Sequence, residues 1–182
     1  MFKPDKQTTA LVVIDIQERL VKAMDEEVLR KITDNTARLI KGAKVLGIKT
    51  LVTQQYTKGL GATIPELAEH LNCEAIEKTS FSCCGELSFI DQLKTAGVDT
   101  VVLCGMETHV CVLQTALDLL QAGYKVHVAA DAACSRAKFN WKTALRYMEK
   151  AGAVITVTET VLFQLVGGAG RDGFKEISGL VK

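Results

Sequence analysis

The sequence predicts a three-layer α/β/α fold built on a doubly wound parallel sheet, with six strands in the order 3-2-1-4-5-6, in one domain over residues 1–182. Three observations carry that prediction. Short apolar runs of strand length alternate with segments of helical periodicity, and such alternation builds a parallel sheet covered on both faces. Several helical segments stop at a glycine just before the next apolar run, as helix C-termini do. A chain of 182 residues with 48% hydrophobic content suits a single core, and no linker, low-complexity segment or internal repeat divides it.

The first strand is Thr9–Ile14 (TALVVI), rich in β-branched residues and ending at Asp15. A helical pattern follows to about Leu46, with a break near Met24, Asp25 and Glu26; Ile32, Thr36, Leu39, Ile40 and Ala43 form its apolar stripe. Gly47 closes it, residues 48–53 form the second strand, and residues 54–63 are loop. Pro65 opens a short helix, and residues 74–77 make a brief third strand ending at Lys78. A helix over residues 87–96 stops at Gly97.

The fourth strand, residues 100–104, is an apolar run of the kind buried on both faces. The chain turns at Gly105 and passes through Glu107, Thr108 and His109. It then becomes a helix with Leu113, Ala116, Leu117 and Leu120 on one face, stopped by Gly123. Residues 125–130 are the fifth strand, ending at Asp131; residues 141–151 are a helix and residues 153–157 the sixth strand. The tail from Gly167 is turn-rich and then weakly helical. Its Gly167-Gly168-Ala169-Gly170 lacks the Gly-Lys-Ser/Thr of a phosphate loop and reads as a turn.

Composition excludes several classes. With 22 basic and 21 acidic residues the net charge is +1, which gives no electrostatic footprint for nucleic acid or a membrane surface. No apolar run is long enough to cross a bilayer. The opening MFKPDKQTT lacks the apolar core of a signal peptide, so a cytoplasmic location is expected. No G-x-G-x-x-G follows the first strand, against a dinucleotide site. The cysteines at 73, 83, 84, 104, 111 and 134 then read as free thiols, and the adjacent Cys83-Cys84 is not the C-x-x-C spacing of a metal or redox site.

Chemistry concentrates where strands end. In the predicted strand order the first and fourth strands are neighbours, and ligands of such sheets bind outside the carboxyl ends at that reversal. Cys111 falls in the first turn of the helix after the fourth strand, where free N–H groups and the helix dipole favour a thiolate. Asp15 is either the N-cap of a following helix, with Glu18 completing a capping box, or the base that takes the Cys111 proton. Lys78 is either a solvated lysine or an ammonium aimed at the same rim. Thr108 is a candidate cap, and the Cys111 N–H a candidate oxyanion donor; a cap bonded to that N–H would occupy it. His109, two positions from Cys111, points elsewhere on a helix and is discounted as the base. His70 reads as a surface histidine and His127 as a strand histidine, and no pair of His, Asp or Glu stands at a metal-ligand spacing.

With Asp15, Lys78 and Cys111 each closing a predicted strand, the chain resembles the isochorismatase-like cysteine hydrolases. The resemblance runs through TALVVIDIQ, EKTSFS, GMETHVCV and ADAACSR, and is strongest to the isochorismatase domain-containing subgroup by QQYTKGLG and HVCVLQTALDLL. It implies an Asp15–Lys78–Cys111 triad and a cis peptide between Met106 and Glu107 that aims the Glu107 and Cys111 N–H groups at one oxyanion. Where family nicotinamidases carry an Asp-x-His metal motif, this chain has Gln54-Gln55-Tyr56. No metal and no cofactor are expected.

The resulting expectation is a hydrolase of small, non-peptide, amide-like substrates working through a thioester, with Gln17, Gln55, Tyr56, Phe81, Thr108 and Trp141 as candidate pocket residues. A homo-oligomer, dimer or tetramer, is expected from the low-charge segments VITVTETVLFQLV and VCVLQTALDLLQAG. A non-catalytic scaffold and a thiol redox protein pairing Cys111 with Cys83 or Cys84 stand as alternatives.

Overall fold

A computed structural model describes residues 3–182. Six parallel strands, β1 (Thr9–Ile14), β2 (Lys49–Gln55), β3 (Ile76–Lys78), β4 (Thr100–Met106), β5 (Lys125–Cys134) and β6 (Val154–Thr156), form one sheet in the order β3-β2-β1-β4-β5-β6. The predicted order and fold class hold. The reversal falls between β1 and β4, paired from Thr9↔Thr100 to Ile14↔Gly105. Both strands are buried throughout.

Successive side chains of a strand face opposite ways, so each central strand feeds two cores. Leu11, Val13, Val102, Cys104 and Met106 pack with α1 (Glu26–Leu46), α7 (Thr158–Val166) and α8 (Phe174–Leu180). Ala10, Val12, Ile14, Val101 and Leu103 pack with α4 (Leu87–Thr95), α5 (Leu113–Gln121) and α6 (Lys138–Ala151). Helix α1 forms as its sequence dictates. Asp25 caps it by accepting from the Val28 N–H at 3.0 Å, Glu26 and Glu27 sit at its positive end, and Gly47 ends it at φ 67°. Its buried Ile32, Leu39 and Ile40 each stabilise the fold by about 1.5–3 kcal/mol. The short helices α2 (Thr57–Leu60) and α3 (Pro65–Ala68) shape the connection from β2 to β3.

Four expectations are corrected. No helix starts at Asp15: its φ is 53°, and residues 15–20 run antiparallel to the loop at 59–63, with Glu18 N donating to Ala62 O at 3.0 Å. The capping-box reading of Asp15 and Glu18 therefore fails, and the first helical piece is a 3-10 turn at Val21–Ala23. Strand β4 does not turn at Gly105 but continues to Met106. Strand β5 does not end at Asp131, because it bulges: pairing passes from Leu103↔Val128 to Gly105↔Ala133 and Met106↔Cys134. The low-charge segment read as surplus apolar surface contains α7, its Val161, Leu162, Leu165 and Val166 buried and its first turn held by the Asp131 carboxylate, 2.8 Å from Thr158 N.

Gly105 sits at the reversal for a steric reason. Its φ is 119°, and an added Cβ would lie 2.0 Å from the carbonyl oxygen of Ile14. The close approach of β1 and β4 brings Asp15 next to the turn that carries Cys111.

Candidate active site

Asp15 and Lys78 meet at the carboxyl ends of β1 and β3, across β2. Their side chains are fully buried, with Lys78 Nζ 2.7 Å from Asp15 Oδ2. The other oxygen, Oδ1, accepts from the Thr53 hydroxyl at 2.7 Å. The ammonium also donates to Gln55 Oε1 at 2.7 Å and to the carbonyls of Phe81 and Ser80 at 3.0 and 3.2 Å. Burial opposes the Lys78 charge, but the Asp15 carboxylate more than offsets it and holds the ammonium above its usual range. Lys78 is thus no solvated lysine.

Cys111 lies in a π-helical turn, Thr108–Val112, that leads into α5. The residue is only 5% exposed, and its thiol lies within the influence of both Asp15 and Lys78. Burial first, then the Asp15 carboxylate, push it up to about 12, while Lys78 pulls the other way. This differs from the sequence-based expectation: at the fourth position of its turn, the cysteine is too deeply covered for the helix end and Lys78 to yield a resting thiolate. A thiol raised this far is protonated at neutral pH.

The turn is pinned by its own backbone and by the end of β5. The Met106–Glu107 peptide is cis. Val110 and Val112 both donate to the Glu107 carbonyl, at 3.0 and 3.3 Å, one on each side of Cys111. The Glu107 carboxylate takes the Arg136 N–H at 2.9 Å and the guanidinium at 2.6 Å. Burial works against that carboxylate, but the Arg136 hydrogen bonds prevail and keep it below the usual range. His109 binds the Ser135 hydroxyl at 3.0 Å through Nδ1, away from Cys111. The Thr108 hydroxyl is buried without a partner among the described residues, so it caps nothing there and leaves the Cys111 N–H alone.

The other candidate residues divide. Gln55 orients Lys78 and is tied to Thr79 O at 2.8 Å. Gln17 is not a pocket wall: fully buried, it clamps the Gln55 backbone at 2.8 and 3.0 Å and the Gly61 carbonyl at 2.7 Å. Tyr56 and Phe81 are about half exposed on the loops beside Lys78. Trp141 is elsewhere, in a cavity lined by none of the three central residues. Gln54, at the place of the family metal motif, donates to the Thr63 hydroxyl at 3.0 Å. Among the described residues no three His, Cys, Asp or Glu side chains gather as a metal site.

Sequence reasoning passed over Thr53, Ser135 and Arg136, and named Cys83 only as a possible redox partner of Cys111. Cys83 is buried, with its N–H on the Thr115 hydroxyl at 3.0 Å and its sulfur 3.8 Å from the Thr53 hydroxyl. Ser135 and Arg136 escaped because the bulge carries β5 four residues beyond its apolar run.

Fold and sequence together define the class. The isochorismatase domain profile matches residues 9–160, and the chain belongs to this isochorismatase-like hydrolase family. Isochorismatase domain-containing protein 2 of Bos taurus is 40% identical over 179 residues, covering 96% of this chain and 83% of that one. Isochorismatase domain-containing protein 1 of Salmo salar is 39% identical over 175 residues, which are 96% of this chain but 61% of that longer protein. The solved structure of the MAR1 ribonuclease from Caenorhabditis elegans superposes with a TM-score of 0.93 at 41% identity, covering 98% of this chain and 92% of its own.

Proposed function

We propose that the protein is a cysteine hydrolase of small amide-like, non-peptide substrates, with Asp15, Lys78 and Cys111 as its catalytic residues. The observation that carries this reading is the buried Asp15–Lys78 ion pair set against the Cys111 thiol at the strand reversal. As the substrate carbonyl reaches the sulfur, Asp15 takes the thiol proton and the sulfur bonds to the carbonyl carbon. The Glu107 and Cys111 N–H groups hold the oxyanion, in a turn that Arg136 keeps rigid through Glu107. Asp15 returns its proton to the departing amine, leaving a thioester; it then deprotonates the water that attacks the thioester, and as the C–S bond breaks and the acid leaves it gives that proton back to the Cys111 sulfur. The Lys78 ammonium, 2.7 Å from Asp15 Oδ2, holds that carboxylate in place between these transfers. Tyr56 and Phe81 flank the entrance, and no cofactor takes part.

RNA cleavage is a second reading, favoured by the 41% identity to a structure named as a ribonuclease. A net charge of +1 gives it little electrostatic support. Homo-oligomer formation belongs to the proposal on new grounds: the two segments first held responsible turn Val112, Ala116, Leu119, Val161, Leu162 and Leu165 into the core, whereas Leu87 and Phe139 are 82% and 79% exposed.

The test is ammonia release from a panel of small primary amides, run beside cleavage of a short single-stranded RNA, each with and without a chelator. Release from at least one amide, insensitive to the chelator and lost in Cys111→Ala, is expected, with a Cys111 acyl adduct by intact mass. RNA cleavage with the amides untouched would replace this reading by the second. Neither activity, and no adduct, would leave a scaffold.

A further inference from the structure

A cavity of about 540 Å³ opens between the start of α1, the last turns of β5 and the start of α6. That volume is in the range of small-molecule sites. Its walls are mainly apolar: Val28 and Ile32 from α1, Ala130 and Ala133 from β5, and the Trp141 ring from α6. The indole N–H is directed to the Ala130 carbonyl at 3.3 Å, so no free ring donor is left for a ligand and the ring serves as an apolar surface. Asp15, Lys78 and Cys111 do not line it.

The charged groups that face the cavity are Asp25, Lys31, Asp131, Arg136 and Lys138, three basic against two acidic. Four of them are engaged. Asp25 caps α1, Lys31 pairs with Glu27 at 2.6 Å, Asp131 holds the start of α7, and Arg136 grips Glu107. Lys138 makes no hydrogen bond or ion pair among the described residues, and it is exposed. An apolar, aromatic-walled cavity with one uncommitted ammonium and a net charge of +1 at its rim selects a flat apolar body with one negative charge.

Two lining residues connect the cavity to the nucleophile turn. Ser135 binds His109 at 3.0 Å, and Arg136 binds Glu107 through both backbone and side chain. Those partners lie two and four residues before Cys111. A body seated against residues 135 and 136 therefore bears on both outer supports of the turn.

We propose that this cavity is a second ligand site, for a small aromatic monoanion such as an aryl carboxylate or sulfonate, and that its occupancy alters the reactivity of Cys111. Trp141, the only tryptophan of the chain, makes the test direct. The full-length protein is titrated with anilinonaphthalene sulfonate and, separately, with 1-naphthoate, following quenching of Trp141 emission. Saturable binding of one probe per chain is expected. Lys138→Glu and Val28→Glu, both at exposed positions on different helices, should each weaken it at least about tenfold. Saturating 1-naphthoate should change the rate of Cys111 alkylation by iodoacetamide at least about twofold in the wild type and not in the variants. Absence of saturable quenching, or equal affinity in the variants, would overturn the site. Tight binding with an unchanged alkylation rate would overturn the coupling. Neither readout needs turnover, so the outcome is independent of the amide hydrolysis proposed above.

Discussion

Asp15→Asn should make Cys111 more reactive toward an alkylating agent while abolishing turnover. The thiol at about 12 is ionised at pH 8 to only ~10⁻⁴, against roughly a quarter for an ordinary thiol near 8.5. Burial is the larger cause and remains in the variant; the Asp15 carboxylate is the second and is removed. A charge at such range moves a neighbour by about 1–3 pH units, so the titration midpoint should fall by that much. The rate at fixed pH gains less. A thiolate of lower pKa is a weaker nucleophile, with a sensitivity of about 0.4–0.5, so about half of the logarithmic gain is lost and roughly 3- to 30-fold acceleration remains. Lys78→Met removes the opposing charge while keeping the apolar stem, and should move the midpoint up and slow alkylation.

The assay is the pH profile of iodoacetamide modification at Cys111, read by peptide mass spectrometry because five other cysteines are present. Removing one member of a buried ion pair costs about 3–5 kcal/mol, so each variant is first shown to be folded by near-ultraviolet circular dichroism. Asn can still accept from the Thr53 hydroxyl, which limits the loss in that variant. Superimposable profiles in folded Asp15→Asn, Lys78→Met and wild type would refute the electrostatic coupling, and the triad with it.

Further outcomes follow from single contacts. Gly105→Ala would place a methyl against the Ile14 backbone, and should cost at least about 3 kcal/mol in denaturant unfolding or prevent soluble expression. Gln55→Leu deprives the buried Lys78 ammonium of one acceptor, so unfolding should show a loss of about 1–3 kcal/mol and kcat should fall with little change in KM. Sedimentation at micromolar protein should give at least a dimer, with Phe139→Glu or Leu87→Glu shifting it toward monomer; a monomeric wild type would contradict the oligomer.

Much of the fold was legible because parallel sheets leave strong marks in sequence. Strands buried on both faces must be continuously apolar, as β1 is, and α1 shows its cap, stripe and terminal glycine in order. The failures share one cause. Residues 15–20 follow a helical pattern but are held by hydrogen bonds to the loop at 59–63, and the segment of α7 reads as surplus apolar surface but packs into the core because Asp131 supports its start and α1 covers its face. Partners distant in sequence decided both.

The site divides the same way. Residue type and position at strand ends made Asp15, Lys78 and Cys111 candidates, since a sheet of this order delivers those ends to one rim, and the family resemblance joined them as a triad. Their protonation was not legible, because a thiol responds to depth of burial and to neighbours that only folding assembles. The sequence suggests a thiolate at a helix start; the tertiary structure makes it a buried thiol facing a carboxylate. Tertiary structure alone also recruited Arg136 and Ser135, through a bulge that lengthens β5 past its apolar run, and separated Trp141 from the residues it seemed to accompany. Periodicity records which face of an element is buried, whereas long-range hydrogen bonds and desolvation determine what the buried groups can do.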